Sequence, residues 1–126
     1  MRQSYSSPNA PAEQEAYSHA SEANGFVFTA GQVPMRPDGS LVAGDVTEKT
    51  HQIMQNLEAI LAEAGTGFEN VVRVTAYFTD IDDFHEMDEA YVEYFDGDPP
   101  ARDVIEVNDL PAGAEMELVM TAALEE

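Results

Sequence analysis

The chain has 126 residues, the size of one domain, and 44% of them are hydrophobic, which excludes wholesale disorder. It contains no cysteine, so a disulfide framework, a thiol nucleophile and a zinc–thiolate site are all excluded. Twenty-five carboxylates against five lysines and arginines give a formal net charge of −20, which repels nucleic acid and anionic membranes as partners.

The acidic residues are spread along the whole sequence rather than gathered in a tail. This distribution is typical of a solvated, salt-adapted surface, because about 1 M salt shortens the Debye length to about 3 Å and relieves self-repulsion. Residues 1–9 lack the apolar core of a signal peptide, and no apolar run approaches the roughly 20 residues that span a bilayer. The sequence therefore predicts a cytoplasmic protein of a high-salt organism.

The predicted elements follow one another without an internal repeat or linker, as expected for a single domain spanning 1–126. Residues 1–12, rich in Ser and Pro, predict a flexible lead-in. The remaining pattern predicts strands at 16–20, 26–30, 71–78, 102–107 and 115–124, with helices at 45–64 and 84–95.

The first helix has the clearest signals. Asp45 is a good N-cap, and Glu48 stands three residues later, which is the spacing of a reciprocal capping box. Gly65 supplies a C-terminal stop. One apolar stripe at helical spacing lies between these ends: Ile53, Met54, Leu57, Ile60, Leu61 and Ala64.

Because each helix joins two strands, the order predicts an α+β fold in which a mixed sheet carries both helices on one face. Strands 26–30 and 115–124 are apolar on both sides, so we expect another subunit to cover the second face. Oligomerisation is therefore predicted.

Familiar catalytic and metal-binding patterns are missing. His19, His51 and His85 lie far apart in sequence, which predicts ordinary surface or helix residues and no metal site. The acidic run at 80–83 lacks the spacing of a calcium loop, and no glycine-rich phosphate loop opens a helix.

Four candidate functional residues remain: Tyr17, Gly31, Arg102 and Glu117. Strand alternation places Glu117 on the face opposite Met116 and Leu118. Gly31 ends a buried strand, which is typical of a bulge or of a close approach to the backbone. Taken alone, each residue is better explained by a structural role: packing for Tyr17, a bulge for Gly31, a salt bridge for Arg102 and a solvent-facing strand position for Glu117.

The order of motifs resembles the RidA/YjgF family of small enamine/imine deaminases. The matching pieces cover about residues 10–123: Ala10-Pro11-Ala12 with Tyr17, Ala30-Gly31-Gln32-Val33-Pro34, Asn56 to Leu61, Val71 to Thr75, Asp83-Phe84, Tyr91, Pro100-Ala101-Arg102, Leu110-Pro111 and Glu117.

The resemblance implies a chorismate-mutase-like fold assembled as a homotrimer, with pockets between neighbouring subunits. It also implies hydrolysis of 2-imino acids to 2-keto acids and ammonia, without a cofactor or metal. Carried over by position, Arg102 binds the substrate carboxylate with its planar fork and Glu117 activates water. Backbone groups of Gly31 and Val104 orient the imine nitrogen, and Tyr17 closes the pocket.

The sequence departs from the family pattern at four places, the first of which is Glu15-Ala16, where Gly-Pro commonly precedes the tyrosine. Ala30 stands where a serine is usual, Asp88 where many members have asparagine, and Asp103 where serine or threonine is common. Asp103 either weakens carboxylate binding or points outward by alternation. These departures leave open a second hypothesis, a non-catalytic trimer that binds a small carboxylate or a protein partner at the same cleft.

Overall fold

The computed structural model describes residues 1–13 and 16–124. Its helices and strands, in chain order, are β1 (Gln3–Tyr5), β2 (Ala20–Ala23), β3 (Phe26–Thr29), α1 (Val46–Glu63), β4 (Val71–Phe78), α2 (Phe84–Tyr91), β5 (Ala101–Glu106) and β6 (Met116–Ala123).

The six strands form one mixed sheet in the order β1-β2-β3-β6-β4-β5. Only β4 and β5 pair in parallel, and the other neighbours are antiparallel. The last strand, β6, therefore inserts between β3 and β4, while α1 and α2 make the crossovers between strands of the same direction. The predicted α+β single domain with a mixed sheet and two helices is confirmed.

Helix α1 begins and ends as its sequence indicates. The Asp45 side chain accepts a hydrogen bond from the backbone N–H of Glu48 at 2.9 Å. Gly65 follows the helix with φ of 87°, a left-handed conformation that favours glycine. The predicted stripe is buried against the sheet, and Ile53, Met54 and Leu57 are fully inaccessible to solvent.

The N-terminal segment is more ordered than its composition indicates. Residues 3–5 form β1, which pairs with β2, and the Tyr5 hydroxyl donates to Glu22 at 2.6 Å. Farther along, Ser7 and Ala10 are buried. The segment predicted as a flexible lead-in, residues 1–12, therefore contains a paired edge strand, which backbone hydrogen bonds can hold with little trace in composition.

Two other element boundaries differ from the sequence prediction. The second strand begins at Ala20, so the residues at 16–19 form a turn and loop instead of the predicted strand. Helix α2 ends at Tyr91 and continues as one 3-10 turn, so Phe95 packs on the core from extended backbone.

The two faces of the sheet are covered differently. On the helix side of β6, Met116, Leu118 and Met120 are almost completely buried. On the opposite face, which we call the open face, Phe26 and Phe28 of β3 remain 42% and 49% exposed. The expectation that β3 is covered on both sides is not met within one protomer.

Neither helix in the described ranges is long and apolar enough to cross a membrane.

Candidate functional site

A cleft of about 510 Å³ opens where the end of β3 passes the start of β6. Its walls are four short pieces of chain: residues 11–12 with Tyr17, residues 30–33 with Met35, the turn at 111–112, and Glu117. The cleft thus joins three of the residues predicted from sequence, Tyr17, Gly31 and Glu117, although they are up to 100 positions apart along the chain.

A one-residue irregularity builds the floor of this cleft. Pairing between β3 and β6 proceeds from Phe28–Thr121 to the isolated bridge Gln32–Leu118, so β3 advances four residues while β6 advances three. The bridge is closed by both backbone hydrogen bonds, at 2.9 and 3.0 Å. The extra residue is accommodated between Thr29 and Gly31, as a bulge would be.

Gly31 lies directly beneath the Glu117 carboxylate. A β-carbon at this position would stand 2.5 Å from Oε2 of Glu117 and 2.7 Å from its carboxyl carbon. The missing side chain therefore lets the carboxylate rest directly on the backbone of the bulge. The sequence-based expectation of a close approach at Gly31 is met by Glu117 itself.

Glu117 is the one ionisable side chain of the cleft walls that belongs to the sheet. Burial raises the pKa of the Glu117 carboxyl above its ordinary value. In the described part of the chain no lysine, arginine or histidine forms a salt bridge with it. A half-buried carboxylate with a raised pKa at a cleft wall suits the role of a general base.

The N-terminal wall of the cleft is held by His19. Its Nδ1 accepts the backbone N–H of Ser7 at 3.0 Å, and its Nε2 lies 2.7 Å from the carbonyl oxygen of Pro11. Only the neutral ring with hydrogen on Nε2 satisfies both contacts. Since His19 is 1% exposed, its prediction as a surface or helix residue is wrong. A single histidine carries no sequence signal of such long-range contacts.

Arg102 and Val104 lie elsewhere in the protomer. They are on β5, two strands from β6, and alternation directs the Arg102 side chain to the helix side of the sheet. There the guanidinium forms an ion pair with Asp88 of α2 and lies 5.0 Å from the centre of the Tyr91 ring. Within one chain the structure therefore does not bring Arg102 or Val104 to the cleft of Glu117.

Tyr91 is buried beneath this ion pair. Burial raises the pKa of Tyr91 to about 12, and its hydroxyl has no hydrogen-bond partner among residues 1–13 and 16–124. The pairing of Asp88 with Arg102 was missed by the sequence analysis, which identified Asp88 only as a departure. The sequence did contain a signal of this ion pair, because Asp88 is acidic at a position where many family members have the neutral asparagine.

Asp103 points to the opposite face from Arg102. Its carboxylate pairs with Arg73 of β4 on the open face. Of the two possibilities that the sequence left open, outward orientation by alternation is therefore correct. Thr29 likewise points away from the cleft, since its Oγ1 accepts the backbone N–H of Met120 at 3.0 Å.

No group of three or more metal-ligating side chains occurs within the ranges that the structure describes. The acidic residues at 80–83 instead serve a helical turn, where the Asp80 side chain accepts the N–H of Asp82. The cleft offers a carboxylate, a tyrosine and backbone groups, which define a site for a small organic molecule.

Comparisons with known proteins identify the family of the chain. The family model described as Endoribonuclease L-PSP matches residues 7–124. The rat protein named 2-iminobutanoate/2-iminopropanoate deaminase is 40% identical over 94% of this chain and 87% of its own length. The chain therefore belongs to the L-PSP family, to which the RidA/YjgF proteins belong, and the resemblance inferred from the sequence motifs is confirmed.

Solved structures give the same fold. Yeast Mmf1 superposes with a TM-score of 0.96 at 34% identity, covering 99% of this chain and all of that one. TdcF of E. coli, solved with bound serine, superposes with a TM-score of 0.91 at 27% identity, covering 98% and 99% of the two chains.

Proposed function

We propose that the protein is a 2-iminoacid deaminase, which hydrolyses 2-iminobutanoate and 2-iminopropanoate to 2-keto acids and ammonia. The observation that carries this proposal is the cleft in which the half-buried Glu117 carboxylate rests on Gly31 beside Tyr17. The rat relative of that name and the serine bound to TdcF support a small carboxylate-bearing substrate.

The proposed chemistry needs one base and one anion-binding group. Ionised Glu117 takes a proton from water, whose oxygen forms a bond to the imine carbon while the C=N π electrons move to nitrogen. Glu117 then returns this proton to the nitrogen, which gives a carbinolamine. Transfer of the carbinolamine hydroxyl proton to the same nitrogen accompanies cleavage of the C–N bond, releasing ammonia and the keto acid with Glu117 again ionised. Because the imine carbon is already electrophilic, positioning and proton transfer are most of what the protein supplies.

The carboxylate of the substrate calls for a cation, and the described residues that line the cleft of one protomer include no lysine or arginine. We propose that the protein is a homotrimer and that Arg102 of a neighbouring subunit enters the cleft, together with the backbone of its Val104. The exposed Phe26 and Phe28 support this arrangement, because an apolar open face favours burial against another subunit. Arginine suits the role because its planar fork binds a carboxylate through two parallel hydrogen bonds.

The proposal is tested by a coupled assay in molar salt. An amino-acid oxidase generates imines from several amino acids, and semicarbazide traps those that escape hydrolysis. We expect the wild type to suppress semicarbazone formation and Arg102→Ala to fail. Arg73→Ala is the matched control, since it removes the same charge from the open face. Full activity of Arg102→Ala would exclude the proposed role of Arg102.

Sharing of the site between subunits has its own test. Arg102→Ala and Glu117→Gln should each be inactive alone. Mixed trimers prepared by co-refolding should regain about a quarter of the active sites, because an intact Arg102 then meets an intact Glu117 across some interfaces. If activity did not recover in mixed trimers, either both residues would act within one protomer or one of them would not belong to the active site.

Two observations favour a second candidate, a non-catalytic trimer that binds a small carboxylate or a protein partner. Arg102 is already paired with Asp88, and Ala30 provides no hydroxyl to hold water. In that case binding of a 2-keto acid persists while no imine is hydrolysed in the coupled assay.

RNA is disfavoured as a partner by the net charge of −20. The cytoplasmic location and the high-salt habitat remain predictions.

A further inference from the structure

Arg102 already holds an anion of its own chain. Its Nη1 donates to Oδ1 of Asp88, and its Nη2 donates to Oδ2 at 3.2 Å. The two side chains are 20% and 34% exposed, so water screens the pair only in part. The Tyr91 ring, 5.0 Å from the guanidinium carbon, limits movement of the guanidinium on that side. Asp88 therefore already takes two of the five N–H donors of the guanidinium, one from each Nη, before any ligand arrives.

This geometry bears directly on carboxylate binding. A ligand carboxylate must either displace Asp88 from the fork or share a guanidinium whose positive charge is already balanced. Asparagine at the same position would keep an oxygen acceptor for the arginine but would bring no charge. Asparagine and aspartate at position 88 both offer an oxygen that can hold the guanidinium in place, but only aspartate neutralises its charge. Comparing the two residues therefore separates these two effects.

We propose that Asp88 sets the affinity of the site for carboxylates by competing with the ligand for Arg102. This inference rests on the proposed function, in which Arg102 binds the carboxylate of a 2-imino acid or 2-keto acid. Since substrate and product carry the same carboxylate, the competition weakens both, and its kinetic effect is a higher KM with little change in kcat. Asp88 is an affinity-setting residue and takes no part in the bond changes.

The neighbouring residue supplies a matched control. Asp103 follows Arg102 directly in sequence, but its carboxylate pairs with Arg73 on the other face of the sheet. Asp103→Asn therefore makes the same chemical change and the same change in net charge as Asp88→Asn, without altering the contacts of Arg102. Any difference between the two variants reports the local competition rather than the overall charge.

The experiment measures binding of 2-oxobutanoate, a stable keto acid, by calorimetric titration at one fixed salt concentration. The proteins compared are the wild type, Asp88→Asn, Asp88→Ala, Asp103→Asn and Arg102→Ala, each checked for folding by circular dichroism. We expect Asp88→Asn to bind about fivefold more tightly than the wild type. Asp103→Asn should match the wild type within about twofold, and Arg102→Ala should show no saturable binding.

Kinetics in the coupled imine assay provide the second readout. We expect Asp88→Asn to lower KM by a similar factor while kcat stays within about twofold. Asp88→Ala separates the two effects, because it removes the competing charge and the support for the guanidinium together. Weaker binding by Asp88→Ala than by Asp88→Asn would show that the support contributes as well.

Several results would overturn the proposal. Equal or weaker keto-acid binding by Asp88→Asn would show that Asp88 only positions Arg102. Equal tightening by Asp103→Asn would assign the effect to net charge. Undetectable binding by both the wild type and Asp88→Asn would also exclude the competition. Failure of the proposed function looks different, because Arg102→Ala would then bind 2-oxobutanoate as well as the wild type.

Discussion

The two faces of β6 show how one strand serves two purposes. Toward the helices, Met116, Leu118 and Met120 are completely or almost completely buried by packing within the chain. Toward the open face, the alternating positions are only half-buried, and one of them is the carboxylate of Glu117. The first face is covered by packing within the chain, whereas the second carries the partly desolvated charge of Glu117 and lies beside the exposed phenylalanines of β3.

The two faces therefore differ in what their side chains contribute: stability on the helix side, and the proposed function on the open face. An apolar residue at 117 would be stabilising, since burying a carboxyl without a cation disfavours its charged form. Keeping glutamate there costs stability, and in the proposed mechanism Glu117 is the base. Substitutions of the buried residues on the helix side should therefore damage folding, whereas those at Glu117 and at the exposed phenylalanines of the open face should damage activity or assembly.

The largest expected effect follows from Glu117→Gln. The amide cannot accept the proton from water, so kcat/KM should fall about 10³-fold, which corresponds to about 4 kcal/mol of transition-state stabilisation. In the wild type, kcat/KM should decrease as pH falls through the raised pKa of Glu117, because the base must be ionised. The coupled imine assay across pH measures both.

Glu117→Gln should also stabilise the fold at neutral pH. A raised pKa means that the folded state favours the protonated carboxyl, so the stability contributed by Glu117 is present in acid and lost as pH rises through that pKa. The melting temperature of the variant should exceed that of the wild type at pH 7, and the difference should disappear below the ordinary glutamate pKa. A variant less stable at pH 7 would contradict this assignment.

Leu118→Ala tests the helix side at the next position. Leu118 is completely buried, so its truncation should lower the free energy of unfolding by about 3 kcal/mol. Val119→Ala, one residue later on the open face, should cost less than about 1 kcal/mol because Val119 is only half-buried. Urea denaturation of both variants measures the contrast, and equal losses would remove the distinction between the two faces.

Gly31→Ala should reduce activity more than stability. The new β-carbon would meet the mobile end of the Glu117 side chain, which can move aside at little energetic cost. Displacing the base by about 1 Å should lower kcat/KM about 10- to 100-fold. We expect the melting temperature to change by only a few degrees. Loss of folding rather than of activity would show that the bulge, and not the carboxylate, requires glycine.

The smallest effect on the protomer itself is expected for Phe28→Ser. Phe28 is exposed on the open face, so its loss should leave the free energy of protomer unfolding within about 0.5 kcal/mol while weakening subunit association. Light scattering coupled to size-exclusion chromatography measures the mass. Val92→Ser is the control, because Val92 is exposed after α2 and away from the open face. An unchanged mass for Phe28→Ser would exclude the open face as the interface.

Features encoded by neighbouring residues could be predicted from the sequence. The cap of α1 depends on Asp45 and Glu48, three positions apart, and the direction of Glu117 depends only on strand alternation. These signals lie within one turn or one strand, so a single sequence contains them. The motif order further identified Tyr17, Gly31 and Glu117, which the fold does bring into one cleft.

Contacts between distant segments could not be predicted in the same way. His19 joins Ser7 and Pro11 through a buried ring, and β1 is held by backbone pairing that leaves no side-chain pattern. The pairing of Arg102 with Asp88 depends on α2 crossing the end of β5. Each of these features follows from the packing of whole elements, which composition and periodicity do not specify.

The position of Arg102 on β5 has a consequence for solubility. β5 is the last strand of the sheet order, so one row of its backbone hydrogen-bonding groups lacks a neighbouring strand in the protomer. Arg102, Asp103 and Glu106 place charges along this edge, a device by which natural sheets prevent unregulated strand addition. The strand proposed to bind the substrate is thereby also guarded against edge-to-edge aggregation.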